Sequence, residues 1–138
     1  YEAELIYKIS ANSFDHQLRL FVDGVRAEID GGGNLPRIPA SRYGAGWDWQ
    51  SGKWQGGIGV VRSDAQNDTA DYETPTDGYT LVNANINYIL HDGDDASWEL
   101  FLQGSNLGNR EARSATSAIK DLVPLPGRAT SAGIRVYF

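Results

Sequence analysis

The run Val82-Asn83-Ala84-Asn85-Ile86-Asn87-Tyr88-Ile89-Leu90 is the clearest structural signal in this sequence. Apolar residues occupy its even positions, whereas three asparagines and one isoleucine occupy the odd positions. A repeat of two residues sends alternate side chains to opposite faces of a β-strand. The run therefore predicts a strand that has an apolar environment on one side and a polar environment on the other.

Six further segments alternate in the same way, namely 3–10, 17–29, 42–49, 53–64, 98–103 and 128–138. The 138 residues include 16 Gly, four Trp and seven Tyr, a composition typical of many short strands joined by turns. No window shows the repeat of an amphipathic helix. The sequence predicts an all-β, antiparallel fold of about seven strands.

The connections between these segments alternate in length. Segments 11–15, 51–52 and 91–95 are short, whereas segments 30–39, 66–77 and 108–126 are long. Outer-membrane barrels have short turns at the periplasmic end and long loops outside, and about 9–11 residues carry a strand across the bilayer. The pattern favours a transmembrane β-barrel segment whose three long connections are extracellular if Phe138 ends a strand in the periplasm.

The alternation also predicts which side chains face lipid and which face the barrel lumen. The predicted lipid-facing residues are Leu18, Leu20, Val22, Trp54, Ile58, Val82, Ala84, Ile86, Leu100, Leu102, Ile134 and Val136. The predicted lumen-facing residues are Asn83, Asn85, Asn87, Glu99, Gln103 and Arg135. A shift of one residue in strand register would reverse every assignment.

Composition and charge exclude several classes of function. The formal net charge of −6 argues against a basic nucleic-acid interface, and the absence of Cys excludes disulfides, thiol nucleophiles and Cys-ligated metals. Asp48 and Glu99 are an acid/base pair in principle, but no nucleophile or oxyanion donor accompanies them. We therefore expect neither an enzyme nor a bound cofactor.

Carboxylates concentrate around the second long connection, at Asp64, Asp68, Asp71, Glu73 and Asp77. Asp68, Asp71 and Glu73 are candidate metal ligands, since carboxylate oxygens attract divalent cations. The alternative is a solvated loop whose charges bridge lipopolysaccharide through divalent ions. His16 and His91 fall in predicted short turns at the other end and are interpreted as surface residues.

Seven strands do not complete a membrane barrel. Single-chain bacterial barrels have even strand numbers and close, because an open edge in lipid leaves backbone groups without hydrogen bonds. We therefore expect the segment 128–138 to pair with 98–107 on one side and with a strand outside this sequence on the other. The remaining strands would come from upstream sequence or from a companion chain.

Several motifs, taken in order, carry a family resemblance. From about residue 20 to residue 138, the chain resembles the C-terminal end of a TonB-dependent receptor of the Gram-negative outer membrane. The motifs are Leu35-Pro36-Arg37-Ile38-Pro39 with Arg42, Tyr79-Thr80-Leu81-Val82-Asn83-Ala84, Leu100 to Leu107 with Asn109, and Pro124-Leu125-Pro126-Gly127-Arg128. The terminal Gly133, Val136 and Phe138 are similar to the signal read by the barrel-assembly machinery.

The resemblance implies a multi-pass outer-membrane barrel of about 22 strands with an N-terminal plug. Residues 1–138 would supply its last seven strands, and the plug and the earlier strands would be absent. The implied partners are the rest of the barrel and its plug, the TonB energy-coupling system through the plug, the barrel-assembly machinery, and outer-membrane lipid with lipopolysaccharide.

Two segments look closest to the zinc-uptake branch, Asp71-Tyr72-Glu73-Thr74 before Gly78-Tyr79, and Thr116-Ser117 through Lys120-Asp121. In that branch a His tends to precede the Thr-Ser pair, whereas Ala115 stands there in this sequence. The implied cargo is a metal ion or a metal chelate, with zinc first and an iron-siderophore next.

Two other interpretations remain open at the level of sequence. One is an isolated barrel fragment held by partner strands. The other is a soluble ligand- or carbohydrate-binding β-sandwich, in which exposed Trp47, Trp49 and Trp54 would be stacking platforms.

Overall fold

The computed structural model describes residues 1–93 and 95–138. In these residues seven antiparallel strands form one sheet, and each strand pairs with its neighbours in sequence. The strands are β1 (Glu2–Ala11), β2 (Phe14–Asp23), β3 (Arg42–Ser51), β4 (Trp54–Ser63), β5 (Tyr79–Asp92), β6 (Ser97–Ser105) and β7 (Ala129–Tyr137). The prediction of an all-β antiparallel fold is confirmed.

No helix in the described part of the chain is long and apolar enough to cross a membrane.

The largest difference from the predicted boundaries concerns β2, which was expected over 17–29. It begins earlier because Asn12 and Ser13, with φ of 49° and 69°, form a two-residue hairpin turn that sends the chain straight back. It ends at Asp23 because the chain leaves the sheet at Gly24, whose N–H donates to the Tyr1 carbonyl oxygen at 3.0 Å. Residues 24–29 therefore belong to a loop.

The connections segregate by length as the sequence predicts. Short turns at 12–13, 52–53 and 93–96 lie at one end of the sheet, and residue 94 of the predicted 91–95 turn lies outside the described residues. The first long loop (24–41), the second long loop (64–78) and the third long loop (106–128) lie at the other end. We refer to these as the short-turn end and the long-loop end.

The register across the strands gives the sheet two distinct faces. Leu18, Trp47, Ile58 and Ala84 follow one another across β2 to β5, and the next row contains Gln17, Asp48, Gly57 and Asn85. All the predicted lipid-facing residues share the face of the first row, here called the apolar face. All the predicted lumen-facing residues share the opposite, polar face. The predicted separation of the two sets is confirmed, and their contact with lipid and lumen stays a prediction.

The apolar face is not covered by any other part of the described chain. Leu5, Leu20, Leu102 and Ile134 on this face remain 62%, 53%, 52% and 57% exposed. Among the described residues, the buried apolar side chains belong to three alanines of the long loops, Ala40, Ala112 and Ala115. The sheet is therefore a single layer whose apolar side requires a nonpolar surrounding.

This single layer does not support the β-sandwich alternative, which needs two packed sheets. Trp47, Trp49 and Trp54, the proposed stacking platforms, all lie on the apolar face, where each contacts a residue of a neighbouring strand. A Cβ at Gly56 would lie 2.8 Å from the Trp49 ring, the Trp54 ring lies 4.6 Å from that of Tyr88, and Trp47 Nε1 donates to His16.

The predicted pairing of the last strand is confirmed on one side. β7 pairs antiparallel with β6 over Ala129–Tyr137 and Ser97–Ser105. The other edge of β7 and the outer edge of β1 pair with no strand in the described residues. That an outside strand covers these edges stays a prediction.

A cross-strand cluster fixes the register of β7 on β6. The Phe101 ring lies across the strand over Gly133, and the Arg135 guanidinium stacks 4.2 Å from the centre of that ring. Arg135 also donates to the Glu99 carboxylate at 2.6 Å. Gly133 is required at this position because a Cβ there would lie 2.9 Å from two ring carbons of Phe101.

We therefore expect Gly133→Ala to displace the Phe101 ring and to lower stability by about 1–3 kcal/mol, the usual range for overpacking. The measurement is the melting temperature of the full-length barrel, taken from the temperature at which its electrophoretic mobility changes from that of the folded to that of the unfolded form. Combining Gly133→Ala with Phe101→Leu should recover most of the loss. Equal melting of Gly133→Ala and the parent would show that the ring does not constrain β7.

Candidate functional site

A concave groove lies on the polar face of the sheet. It has a volume of about 650 Å³, and its polar lining comprises Arg19, Asp48, Asn83, Asn85, Gln103, Ser105, Thr130 and Ser131. Its floor is bare backbone at Gly46 and Gly59, which pair with each other across β3 and β4. A Cβ at either glycine would meet no atom nearer than 3.8 Å, so a small side chain would fit there and make the groove shallower.

The asparagines of β5 do not share one role. Asn85 and Asn87 line polar cavities of the sheet, as predicted for side chains that face water or a partner. Asn83 instead accepts a hydrogen bond from the Asn106 N–H at 2.9 Å. Asn83 thereby anchors the start of the third long loop to the sheet, a role that the alternation of β5 does not reveal.

Two pairs of opposite charges join neighbouring strands on the polar face. Arg19 lies 3.6 Å from Glu4, and Arg135 lies 2.6 Å from Glu99. Asp48 sits on β3 beside Gly57, and the residue of β6 level with it is Gln103, four residues from Glu99. Three strand spacings alone separate Asp48 and Glu99 by about 14 Å across the sheet, and the offset along β6 adds to this. The structure does not bring Asp48 and Glu99 together as an acid/base pair.

Two motifs that are distant in sequence form the base of the third long loop. The side-chain amide of Asn106, a residue only 4% exposed, donates to the carbonyl oxygens of Arg110 and Pro126 at 2.8 and 3.1 Å. Its Oδ1 accepts the Arg110 N–H at 2.9 Å, and Asn109 Oδ1 accepts the Arg128 N–H at 3.1 Å. Asn106 and Asn109, at the start of the third long loop, therefore bind the backbone of Pro126-Gly127-Arg128 at its end, and these hydrogen bonds close the loop.

The Glu73 carboxylate joins all three long loops. Lys120 of the third loop donates to it at 3.0 Å, and the backbone N–H of Arg37 in the first loop donates at 3.2 and 3.3 Å. The N–H of Ala70 in its own loop donates at 3.2 Å. The side chains of Glu73 and Lys120 are only 14% and 5% exposed. Sequence reasoning selected Glu73 for its charge but did not identify Lys120 as its partner.

The electrostatics of this contact favour the ionised carboxylate. Burial raises the pKa of Glu73, but hydrogen bonds from Lys120 and from the N–H groups of Ala70 and Arg37 together lower this pKa by more than burial raises it. The pKa of Glu73 therefore lies below its ordinary value of 4.5.

The candidate metal ligands are not brought together. Glu73 is engaged by Lys120, Asp68 lies 4.0 Å from Arg26, and Asp71 is exposed. In residues 1–93 and 95–138, no group of three or more His, Asp or Glu side chains is placed to hold a metal ion.

The two histidines lie in strands rather than in the predicted short turns. His16 is the third residue of β2, where its ring stacks between Phe14 and Trp47 at 5.4 and 5.9 Å. His91 lies in β5 beside the bulge that follows Ile89. They lie in strands because the turns are shorter than expected. Both histidines are nevertheless near the short-turn end of the sheet.

The candidate assembly-signal residues occupy three different environments. Gly133 lies on the polar face under Phe101, and Val136 lies on the apolar face opposite Trp98. Phe138 follows the last residue of β7 and is fully exposed. In the folded sheet they do not form one surface.

The pKa of Glu73 predicts how the loops respond to acid. Because the folded-state pKa is depressed, the ionised carboxylate stabilises the loop contacts above pH 4.5, and this contribution is lost as the pH falls through the folded pKa. We expect amide exchange in residues 64–78, corrected for intrinsic rates, to accelerate below that pH. Asp71→Asn should keep this response and Glu73→Gln should lose it. An identical response in Glu73→Gln would contradict the prediction.

The sequence of this chain matches a known protein family over most of its length. The family model described as TonB dependent receptor-like, beta-barrel matches residues 1–107. The match includes β1, which lies before the region of the sequence resemblance, and it ends at the start of the third long loop. It does not specify a zinc-uptake branch. No curated protein matches the chain.

Proposed function

Since this chain belongs to the TonB-dependent receptor-like β-barrel family, we propose that it is the C-terminal barrel portion of an outer-membrane active-transport receptor. The observation that carries the proposal is the single sheet with one bare apolar face, one grooved polar face and two unpaired edges. An apolar face of this extent fits the hydrocarbon of a bilayer. The earlier strands and a plug would complete the barrel and cover the polar groove.

In this arrangement the long-loop end faces the outside of the cell and the short turns face the periplasm. The proposed partners are the remaining barrel, the plug with the TonB energy-coupling system, the barrel-assembly machinery, and outer-membrane lipid with lipopolysaccharide. The support is the segregation of connection lengths, which is the pattern of outer-membrane barrels.

We propose a metal ion or a metal chelate as the cargo, with zinc favoured and an iron-siderophore next. The support is the acidic second long loop and its likeness in sequence to the zinc-uptake branch. Asp68 and Asp71 are the available carboxylates, because the pair of Asp68 with Arg26 is exposed and such pairs are weak. Ala115 stands where the zinc-uptake branch tends to have a His. Because of this difference, both zinc and an iron-siderophore are tested.

The test is uptake of radioactive zinc, and separately of radioactive iron-siderophore, by cells that express the full-length receptor. We expect import that stops when TonB is deleted. Asp68→Asn with Asp71→Asn should raise the KM for the imported metal severalfold, whereas the control Asp15→Asn at the short-turn end should leave it unchanged. Absence of TonB-dependent import of either metal would refute the proposed cargo.

A further prediction concerns Phe138. As an exposed terminal side chain it contributes at most ~1.5–3 kcal/mol of burial in lipid. If it is read as an assembly signal, Phe138→Ala should lower the amount of receptor in the outer membrane far more than the melting temperature of the receptor that arrives. Both are measured in the same strain, and a proportional fall in the two would assign Phe138 to packing alone.

A further inference from the structure

The three long loops are linked more closely than loops that only share one end of a sheet. Besides the contacts of Glu73, Thr74 in the second loop donates to the Asp121 carboxylate in the third at 2.7 Å. Asn34 Nδ2 donates to the Thr69 carbonyl oxygen at 3.1 Å, and Gln66 Nε2 donates to that of Ile38 at 3.2 Å. The loops therefore form one hydrogen-bonded body.

This loop body stands where the polar groove reaches the long-loop end. Ser105, which lines the groove, directly precedes the third loop, and Ala129 and Thr130, which also line it, directly follow that loop. The third loop therefore begins and ends at the rim of the groove.

The ion pair of Glu73 and Lys120 is the contact on which the body depends. Lys120 is 4% exposed, and its ammonium meets the one carboxylate that also holds Arg37 of the first loop. Removing one partner of a buried ion pair leaves the other charge desolvated without compensation. Loss of the Glu73 charge therefore acts on contacts with all three loops, whereas no contact in the described residues joins the exposed Asp71 carboxylate to another loop.

We propose that Glu73 and Lys120 form a latch that holds the three long loops together at the end of the polar groove, and that passage of cargo requires this latch to open. The latch itself is a property of the described residues. Only its link to passage rests on the proposed function.

The first arm of the test measures the latch without transport. In the detergent-solubilised full-length receptor, where both ends of the barrel are open to the reagent, acylation of Lys120 by an amine-reactive acylating reagent is compared with that of exposed Lys53 in the same molecule. Glu73→Gln should raise the relative acylation of Lys120 roughly tenfold and should accelerate amide exchange in residues 24–41, because exchange follows the free energy of local opening. Asp71→Asn is the matched control.

Two results would overturn the latch. One is Lys120 acylation that is equal in Glu73→Gln and Asp71→Asn. The other is faster exchange confined to the second loop, which would show that Glu73 does not hold the first and third loops. Neither result depends on whether a metal is imported.

The second arm measures passage. These 138 residues contain no Cys, and any Cys elsewhere in the full-length receptor is replaced by Ser, so that Thr74→Cys and Asp121→Cys create a unique pair that a short, reducible bis-methanethiosulfonate reagent can link. Linked receptor should lose most TonB-dependent metal uptake, and reduction should restore it, while either single variant should be unaffected by the reagent. Unchanged uptake in fully linked receptor would overturn the requirement for opening. Absence of uptake in every variant, with the first arm positive, would refute the proposed function and leave the latch.

Discussion

The continuous antiparallel register from β1 to β7 is the constraint on which the rest of this structure depends. Rows of side chains such as Leu18, Trp47, Ile58 and Ala84 are aligned only because each strand pairs with the next without a shift over this region. A slip of one residue at any pairing would transfer an entire strand's apolar side chains to the polar face. The separation of faces, the glycine floor of the groove and the charge pairs between strands all follow from this alignment.

Two kinds of interaction stabilise the two ends of the molecule differently. Over the described residues the sheet has no interior, since none of its large apolar side chains is fully buried, so its apolar face depends on a nonpolar surrounding. The long-loop end instead contains buried polar groups that satisfy one another, with Asn106 and Lys120 both 4% exposed and both hydrogen-bonded. The loops are thus ordered by directional bonds, which explains how long connections keep a defined shape outside the sheet.

Aromatic rings over cross-strand glycines recur in the sheet, with Trp49 over Gly56 and Phe101 over Gly133. Each ring covers backbone that a Cβ would otherwise protect, and it holds the two strands at a single register. The high contents of glycine and of aromatic residues are therefore connected, because each of these rings packs over a glycine on the neighbouring strand. Gly133, selected from the sequence as part of a terminal signal, also has this role in the folded sheet.

The fold class, the strand number, the two faces and the segregation of connections are predictable from the sequence, because a repeat of two residues is a local property. The sequence also draws attention to Glu73, but only as a carboxylate in an acidic loop. The contact of Glu73 with Lys120, 47 residues away, and the hydrogen bond from Asn106 to the backbone at Pro126 became visible in the folded chain. Loop contacts between distant residues have no periodicity to read, since they depend on which ends of the strands the sheet brings side by side.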